Sequence, residues 1–118
     1  MVALFKCGKF TSHSGLQLNW KIECDALSDD DWQGLACIAS EILPPFGNVE
    51  GVPRGGLKFA DALRQYITTG PLLICDDVCT TGNSMETFRN NRNAIGVVAF
   101  SRGISPGWII PLFTLKGN

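Results

Sequence analysis

The chain has 118 residues, 45% of them hydrophobic and 18% charged, which is enough for one folded domain and too apolar for a disordered segment. The formal net charge is −1, and the ten lysines and arginines are scattered, so we expect no nucleic-acid partner. Neither an apolar run of about 18 residues nor the core of a signal peptide occurs, so we expect a cytoplasmic protein with no membrane partner.

The first 27 residues are short and mixed, and we expect them to form a small hood or lid over the rest of the domain. Residues 10–15 (FTSHSG) predict a turn. Residues 16–24 predict a strand in which Leu16, Leu18 and Trp20 share one face, because they alternate with polar residues. Residues 28–118 are then the core of the same single domain.

Helices and strands alternate through the core. Ser28 followed by Asp31 is a capping-box pattern at a helix start, and Pro44 ends that helix. The pattern predicts strands at 48–52, 72–75, 95–100 and 108–115, helices at 57–67 and 84–90, and a loop at 101–107. Pro111 indicates an edge position for the last strand. The fold class is therefore α/β, with a mostly parallel sheet of about four strands flanked by helices.

The five cysteines are odd in number and form no CxxC pair, and two of them, Cys37 and Cys75, fall in apolar runs. We therefore expect reduced, mostly buried thiols rather than a zinc site. The full set is Cys7, Cys24, Cys37, Cys75 and Cys79.

Residues 72–84 (LLICDDVCTTGNS) organise the rest of the chain. Four apolar residues without alternation predict a strand covered on both faces, and Asp76 and Asp77 follow at its carboxyl end. Ligands of open α/β sheets bind at that end. The hydroxyls and backbone N–H groups of residues 80–84 offer a cradle for an anion. Carboxylates for sugar hydroxyls beside a phosphate cradle indicate a phosphorylated sugar.

This stretch resembles the signature of the type I phosphoribosyltransferases, from which Cys79 departs by replacing the usual aliphatic residue. The resemblance implies a Rossmann-like core and 5-phosphoribosyl 1-diphosphate as substrate. It implies that Asp76 and Asp77 meet the ribose hydroxyls and help to hold Mg²⁺, which prefers oxygen ligands. The residues it implies for the 5-phosphate are Thr80, Thr81, Gly82, Asn83 and Ser84.

A second motif, GVPRGG, precedes the predicted helix at 57–67 and resembles the pyrophosphate-binding loop of that family. Glycines permit close approach of the backbone to an anion, and Arg54 supplies a permanent charge. The alternative is a surface turn with a solvated arginine. The loop residues are Val52, Pro53, Arg54, Gly55 and Gly56.

The amino-terminal GKFTSHSG followed by Trp20 is similar to the opening of orotate phosphoribosyltransferases, although His13 stands where a lysine is usual. Lys21 or His13 is then a candidate contact of an acidic base, and the alternative is a solvated lysine and a surface histidine. Arg102 follows the third core strand, where the orotate enzymes contact the base carboxylate. Trp108 is a candidate for stacking on the base, as in purine-specific members, or for core packing.

The resemblance implies transfer of the phosphoribosyl group to a nucleobase, with a pyrimidine such as orotate favoured, and a homodimer as the usual assembly. One expected part is missing, since only residues 68–71 stand where the family has a strand and a flexible closing loop. Such loops exclude water from the reacting centre. A binding module that holds phosphoribosyl diphosphate or a nucleotide without catalysis therefore stays open as the alternative.

Overall fold

The computed structural model describes residues 3–11, 15 and 17–116, and these begin with an antiparallel hairpin. Its strands are β1 (Phe5–Thr11) and β2 (Gln17–Ile22), which pair with a bulge between Cys7 and Phe10. Most of β1 is exposed, whereas Leu18 of β2 is buried. The hairpin is the predicted hood. The residues of the predicted turn at 12–14, including His13, lie outside the described part of the chain, as does Leu16.

Helix α1 (Asp29–Ile42) starts as the sequence predicts. The Ser28 hydroxyl accepts a hydrogen bond from the Asp31 backbone N–H, and the Asp31 carboxylate accepts one from the Ser28 N–H. Three acids in the first turn interact favourably with the helix dipole. The buried face, which includes Trp32 and Ala36, packs on the core.

The central sheet has four parallel strands in chain order, which confirms the predicted fold class. In the order of the sheet they are β3 (Asn48–Gly51), β4 (Leu72–Cys79), β5 (Ala94–Arg102) and β6 (Ile109–Leu115). Pro111 lies in β6, an edge strand as predicted, opposite Val98. Helix α2 (Leu57–Leu63), extended by a 3₁₀ turn at Arg64–Tyr66, precedes β4, and α3 (Asn83–Arg89) follows it.

The two faces of the sheet carry two separate apolar clusters. Leu73 and Cys75 face α1 and α2, where Phe59 and Leu63 are fully buried. Ile74, the residue between them, faces α3 and packs with Met85. Because strand side chains alternate between faces, the unbroken apolar run in β4 serves both layers.

This arrangement gives the two strand–helix–strand crossovers opposite hands. The strands advance in one direction from β3 to β4 to β5, yet α2 and α3 lie on opposite faces of the sheet. Crossovers between parallel strands are right-handed in about 98% of cases, so one of these two has the rare hand.

Three sequence predictions need correction. β4 continues to Cys79 instead of ending at Cys75, because Asp76 and Val78 still pair with β5. β5 continues through Ser101 and Arg102, which pair with β6 instead of opening a loop. Cys37 lies on the exposed side of α1, and Cys7 is exposed as well, so two of the five free thiols face solvent.

Among the described residues, no helix is both long and apolar enough to cross a membrane.

Candidate functional site

A cavity of about 420 Å³ opens at the carboxyl end of the sheet, between the hairpin and the core. Its volume falls in the range of small-ligand sites, about 300–1,000 Å³. Residues from three separately predicted motifs and from the hood line it together. The predicted site residues that line it are Lys21, Val52, Pro53, Arg54, Gly55, Asp76, Asp77, Thr80, Ser84 and Arg102.

The acid pair lies near the end of β4, one residue after the other, so the two side chains leave the strand on opposite sides. Asp76 is 8% exposed, and its Oδ1 accepts a hydrogen bond from the Asp77 N–H at 2.8 Å. The Asp77 Oδ1 accepts one from the Val78 N–H at 2.7 Å. Burial, with the Asp77 charge as the next cause, raises the pKa of Asp76 to about 8.

Oxygen donors of this kind fit a magnesium ion. Burial, and then the charge of its neighbour, raises the pKa of Asp76, so the two adjacent carboxylates gain from a divalent cation that offsets their repulsion. Magnesium usually takes one or two carboxylates and completes its shell with phosphate and water. No cluster of three or more His, Cys, Asp or Glu side chains suited to a metal occurs in the described part of the chain.

The glycine loop is held tightly against the end of β4. The Val52 N–H donates to the Cys75 carbonyl at 2.9 Å, and the Gly56 N–H donates to the Val52 carbonyl at 2.8 Å. A Cβ at Gly55 would lie 2.4 Å from Oδ2 of Asp77, so any other residue there would displace the carboxylate. Gly56 does not line the cavity but fits under the loop, where a Cβ would lie 2.5 Å from the Cys75 carbonyl.

Arg54 is the charged residue of this loop, and its side chain is exposed at the cavity rim. The peptide bond between Pro53 and Arg54 is cis. A second cavity of about 250 Å³ adjoins the first at Arg54, Gly55 and Asp77, and Cys24 and Lys58 contribute to its wall. Burial, followed by the charge of Asp77, raises the pKa of the Cys24 thiol to about 12.

The turn after β4 forms the far side of the site. Gly82 has a φ of 88°, a left-handed conformation that favours glycine, and it precedes α3 directly. The Asn83 N–H donates to the Thr81 hydroxyl at 3.3 Å. A small pocket of about 40 Å³ lies within this turn, and Asp76, Thr80 and Ser84 line both it and the main cavity. Thr81, Gly82 and Asn83 contribute to the small pocket alone.

Arg102, at the end of β5, is nine-tenths buried under the hairpin. Its guanidinium carbon lies 3.6 Å from the centre of the Trp20 ring, and its Nη1 donates to the Trp20 carbonyl. Its Nε and Nη2 are buried without a hydrogen-bond partner among the described residues. An unpaired buried donor costs about 1–3 kcal/mol, and more when it is charged, so this edge of Arg102 is suited to an acceptor that the ligand supplies.

Lys21 lines the cavity on the hairpin side and is partly buried. Its Nζ forms an ion pair with Glu23 at 3.2 Å and lies 4.9 Å from the centre of the Phe10 ring. Glu23 also lines the cavity, so the hood places an acid and a base at the same wall.

Trp108, like Gly56, is a predicted site residue that lines none of the three cavities. Its Nε1 donates to Glu86 at 2.8 Å, and the Arg89 guanidinium lies 4.3 Å from its ring centre. Both partners belong to α3, and the ring packs against the cluster on that face of the sheet. The core-packing alternative therefore describes Trp108, and the expected stacking on a base does not fit its position.

The sequence analysis does not single out the remaining lining residues as candidate contacts. These residues come mostly from the hairpin, where alternation predicted faces but could not show which face would meet the core. They are Phe10, Thr11, Leu18, Ile22, Glu23 and Val78.

The connection at 68–71 is short and is bonded to the loop before β3. The Thr68 N–H donates to the Phe46 carbonyl at 2.9 Å, and the Gly47 N–H donates to the Pro71 carbonyl at 3.0 Å. These bonds fix both ends of the connection. It lies outside the lining of the main cavity, so it does not replace a closing loop.

Neither a protein-family model nor a curated protein matches this sequence. Solved structures match its fold. The chain is similar to orotate phosphoribosyltransferase from Aeropyrum pernix, with a TM-score of 0.77, 20% identity, and coverage of 94% of this chain and 88% of that one. It is also similar to the Mycobacterium tuberculosis H37Rv orotate phosphoribosyltransferase in complex with Fe(III) dicitrate, with a TM-score of 0.67, 13% identity and coverage of 95% and 90%.

A third similar structure is the Helicobacter pylori xanthine-guanine-hypoxanthine phosphoribosyltransferase, with a TM-score of 0.50, 15% identity and coverage of 74% of this chain and 79% of that one. The two orotate enzymes match nearly the whole described chain, hairpin included, whereas this third match covers about three quarters of it. The protein therefore has the fold of the type I phosphoribosyltransferases, in the form seen in orotate phosphoribosyltransferases.

Proposed function

We propose that this protein transfers the 5-phosphoribosyl group from phosphoribosyl diphosphate to a nucleobase, most favourably a pyrimidine such as orotate, with release of pyrophosphate. The observation that carries the proposal is the 420 Å³ cavity. In it the acid pair, the glycine loop and the hydroxyl-rich turn meet the hairpin and the unpaired edge of Arg102. Each group has the chemistry that one part of the two substrates requires.

The core half of the cavity suits the sugar and its 5-phosphate. Asp76 and Asp77 would accept hydrogen bonds from the ribose hydroxyls, and their charge would stabilise the positive charge that develops at the anomeric carbon. Thr80 and Ser84 would bind the 5-phosphate, for which hydroxyl and backbone N–H donors are suitable. The rigid strand and the glycine-bounded turn keep these groups in place before the ligand arrives.

The glycine loop suits the leaving group. As the bond between the anomeric carbon and the pyrophosphate oxygen breaks, its electron pair passes to that oxygen, and Arg54 at the rim would stabilise the added charge. A magnesium ion held by Asp76 and Asp77 would supply further charge neutralisation for the diphosphate. A ring nitrogen of the base forms the new bond to the anomeric carbon and gives up its proton, which the departing pyrophosphate accepts.

The hairpin side suits an acidic base. Nε and Nη2 are the donors on one edge of the Arg102 guanidinium, and two parallel N–H groups match the two oxygens of a carboxylate. Orotate carries such a group on its ring, whereas uracil does not. Lys21 lies at the same wall, where Glu23 is its ion-pair partner.

A panel of bases tests the proposal directly. Purified protein with Mg²⁺ and phosphoribosyl diphosphate is incubated separately with orotate, uracil, hypoxanthine, guanine, xanthine and adenine, and pyrophosphate release is measured. We expect the highest turnover with orotate. Pyrophosphate release no faster than in a sample without base, for all six, would count against the proposed activity.

The fixed connection at 68–71 favours a second candidate, a module that binds phosphoribosyl diphosphate or a nucleotide without catalysis. Because its ends are bonded to the loop before β3, this segment cannot swing over the site as a closing loop would. Calorimetry separates the two functions. Binding of phosphoribosyl diphosphate with Mg²⁺, combined with no turnover on any base, would select the module.

A further inference from the structure

The Arg102 side chain is held by one residue of the hairpin in two ways. The Trp20 ring covers the guanidinium at 3.6 Å, and the Trp20 carbonyl accepts the Nη1 hydrogen bond. The two residues are 82 positions apart in the chain, so this contact also joins the hood to the core. The Trp20 ring is itself in edge contact with Phe5, at 6.4 Å between ring centres.

These contacts occupy one face and one nitrogen of the guanidinium and leave a defined edge. The nitrogens without a partner in the described structure are Nε and Nη2, which lie side by side and donate in parallel. The two parallel N–H groups fit the two oxygens of a carboxylate, whereas a neutral ring edge does not offer this pair of charged acceptors. The orientation of that edge depends on Trp20, because the ring and the carbonyl fix the plane of the guanidinium.

We propose that Trp20 is a positioning residue for base recognition, which holds Arg102 so that its Nε and Nη2 edge receives the carboxylate of an acidic pyrimidine. The inference rests on the proposed function and adds to it a hairpin residue that sets specificity. Discrimination between carboxylated and plain pyrimidines would then depend on the hood. Binding of the sugar and phosphate would not, because β4 and the two loops of the core carry it.

Steady-state kinetics with Trp20→Leu and Trp20→Phe test the proposal. Leucine removes the ring from the guanidinium, whereas phenylalanine retains an aromatic face. For Trp20→Leu we expect the KM for orotate to rise about 3- to 30-fold, the range from exposed to desolvated cation–π contacts, with kcat and the KM for phosphoribosyl diphosphate nearly unchanged. Trp20→Phe should recover most of the loss.

Phe88→Leu is the matched control, because the Arg92 guanidinium lies 5.5 Å from the Phe88 ring centre on α3, away from the cavity lining. It should leave the KM for orotate unchanged. Unchanged orotate KM in Trp20→Leu would overturn the inference. So would an equal rise for orotate and uracil, since that pattern reports a collapsed hood instead of a lost carboxylate fork.

A measurement on the unaltered protein keeps the inference testable if Trp20→Leu does not fold. With ¹⁵N-labelled arginine, the Nε–H resonance of Arg102, assigned by comparison with Arg102→Lys, should shift on addition of orotate and not of uracil. A resonance that responds equally to both would contradict the inference. This binding experiment needs no turnover. If the protein is inactive with all six bases, the proposed activity is wrong, but carboxylate binding by Arg102 can still be tested.

Discussion

The acid pair and the base-side arginine share one cavity but are held in different ways. Asp76 and Asp77 lie on β4, which pairs with β5 along most of its length and with β3 as far as Cys75, and their carboxylates accept hydrogen bonds from the next residue in the chain. Arg102 depends on Trp20, a residue of a largely exposed hairpin 82 positions away. The sugar-phosphate half is therefore a rigid part of the core, whereas the base half depends on how the hood is seated.

The largest difference between the two halves should appear in stability. Phe59 is fully buried and packs on Trp32 at 5.4 Å, so Phe59→Ala should lower the free energy of unfolding by about 3–5 kcal/mol. Phe5 of the hairpin is 53% exposed, and Phe5→Ala should cost about 0.5 kcal/mol. Urea denaturation of both variants measures this. Equal losses would mean that the hood is as integral to folding as the core.

Removing one charge from the acid pair should affect catalysis far more than folding. Asp77→Asn keeps the side-chain size, but we expect kcat/KM for the best base to fall about 10²- to 10³-fold, as when a group that stabilises transition-state charge is lost. Asp61→Asn is the control, because Asp61 forms an exposed ion pair with Arg64 and does not line the cavity. A loss of less than about fivefold in Asp77→Asn would remove the acid pair from the mechanism.

The buried acid should also give the ligand-free core a specific pH dependence. The pKa of Asp76 is raised from 3.8 to about 8, so between these values the folded protein binds more protons than the unfolded chain. Stability then falls as the pH rises through this window, and Asp76→Asn removes that part of the slope. Without Mg²⁺, the melting temperature of the unaltered protein should fall several degrees more between pH 5 and 8 than that of the variant. Parallel curves would contradict the raised pKa.

The smallest expected effect is on the reactivity of the Cys24 thiol, which lies between the hood and the core. Cys24 lies just after the hairpin, and burial together with the charge of Asp77 keeps its pKa near 12, so it should react slowly with thiol reagents. Asp77→Asn should raise its alkylation rate a few-fold, measured by mass spectrometry at each cysteine. Exposed Cys37 serves as the internal reference and should not respond. An unchanged Cys24 rate would show that Asp77 does not influence this thiol.

The same contrast explains what the sequence could predict. The acid pair, the glycine loop and the turn at 80–84 are each a short contiguous stretch at a strand end. A local sequence pattern is therefore enough to predict that they lie at one edge of the sheet. The end of β4 was misplaced because Asp76 and Asp77 look like a strand terminus, although the backbone continues to pair with β5.

A local sequence pattern does not predict contacts between residues that are far apart in the chain. Nothing local to Trp108 shows that Glu86 and Arg89 hold it against α3, and nothing local to Trp20 shows that it covers Arg102. Exposure of Cys37 was missed for a simpler reason. An apolar neighbourhood on a helix does not settle which side of the helix a residue occupies.

The opposite hands of the two crossovers bear on how this sheet could be extended. Among the described residues β3 pairs only with β4, and the exposed connection at 68–71 lies beside the start of that pairing. Extra chain inserted there would reach the open side of β3 and add a strand to the sheet. The chain would then pass from α2 to a new strand on the side of β3 opposite β4. Both helical crossovers would have the same hand. The four-residue connection is thus the point at which a designed insertion could add a strand to the sheet, because β3 is already an edge strand.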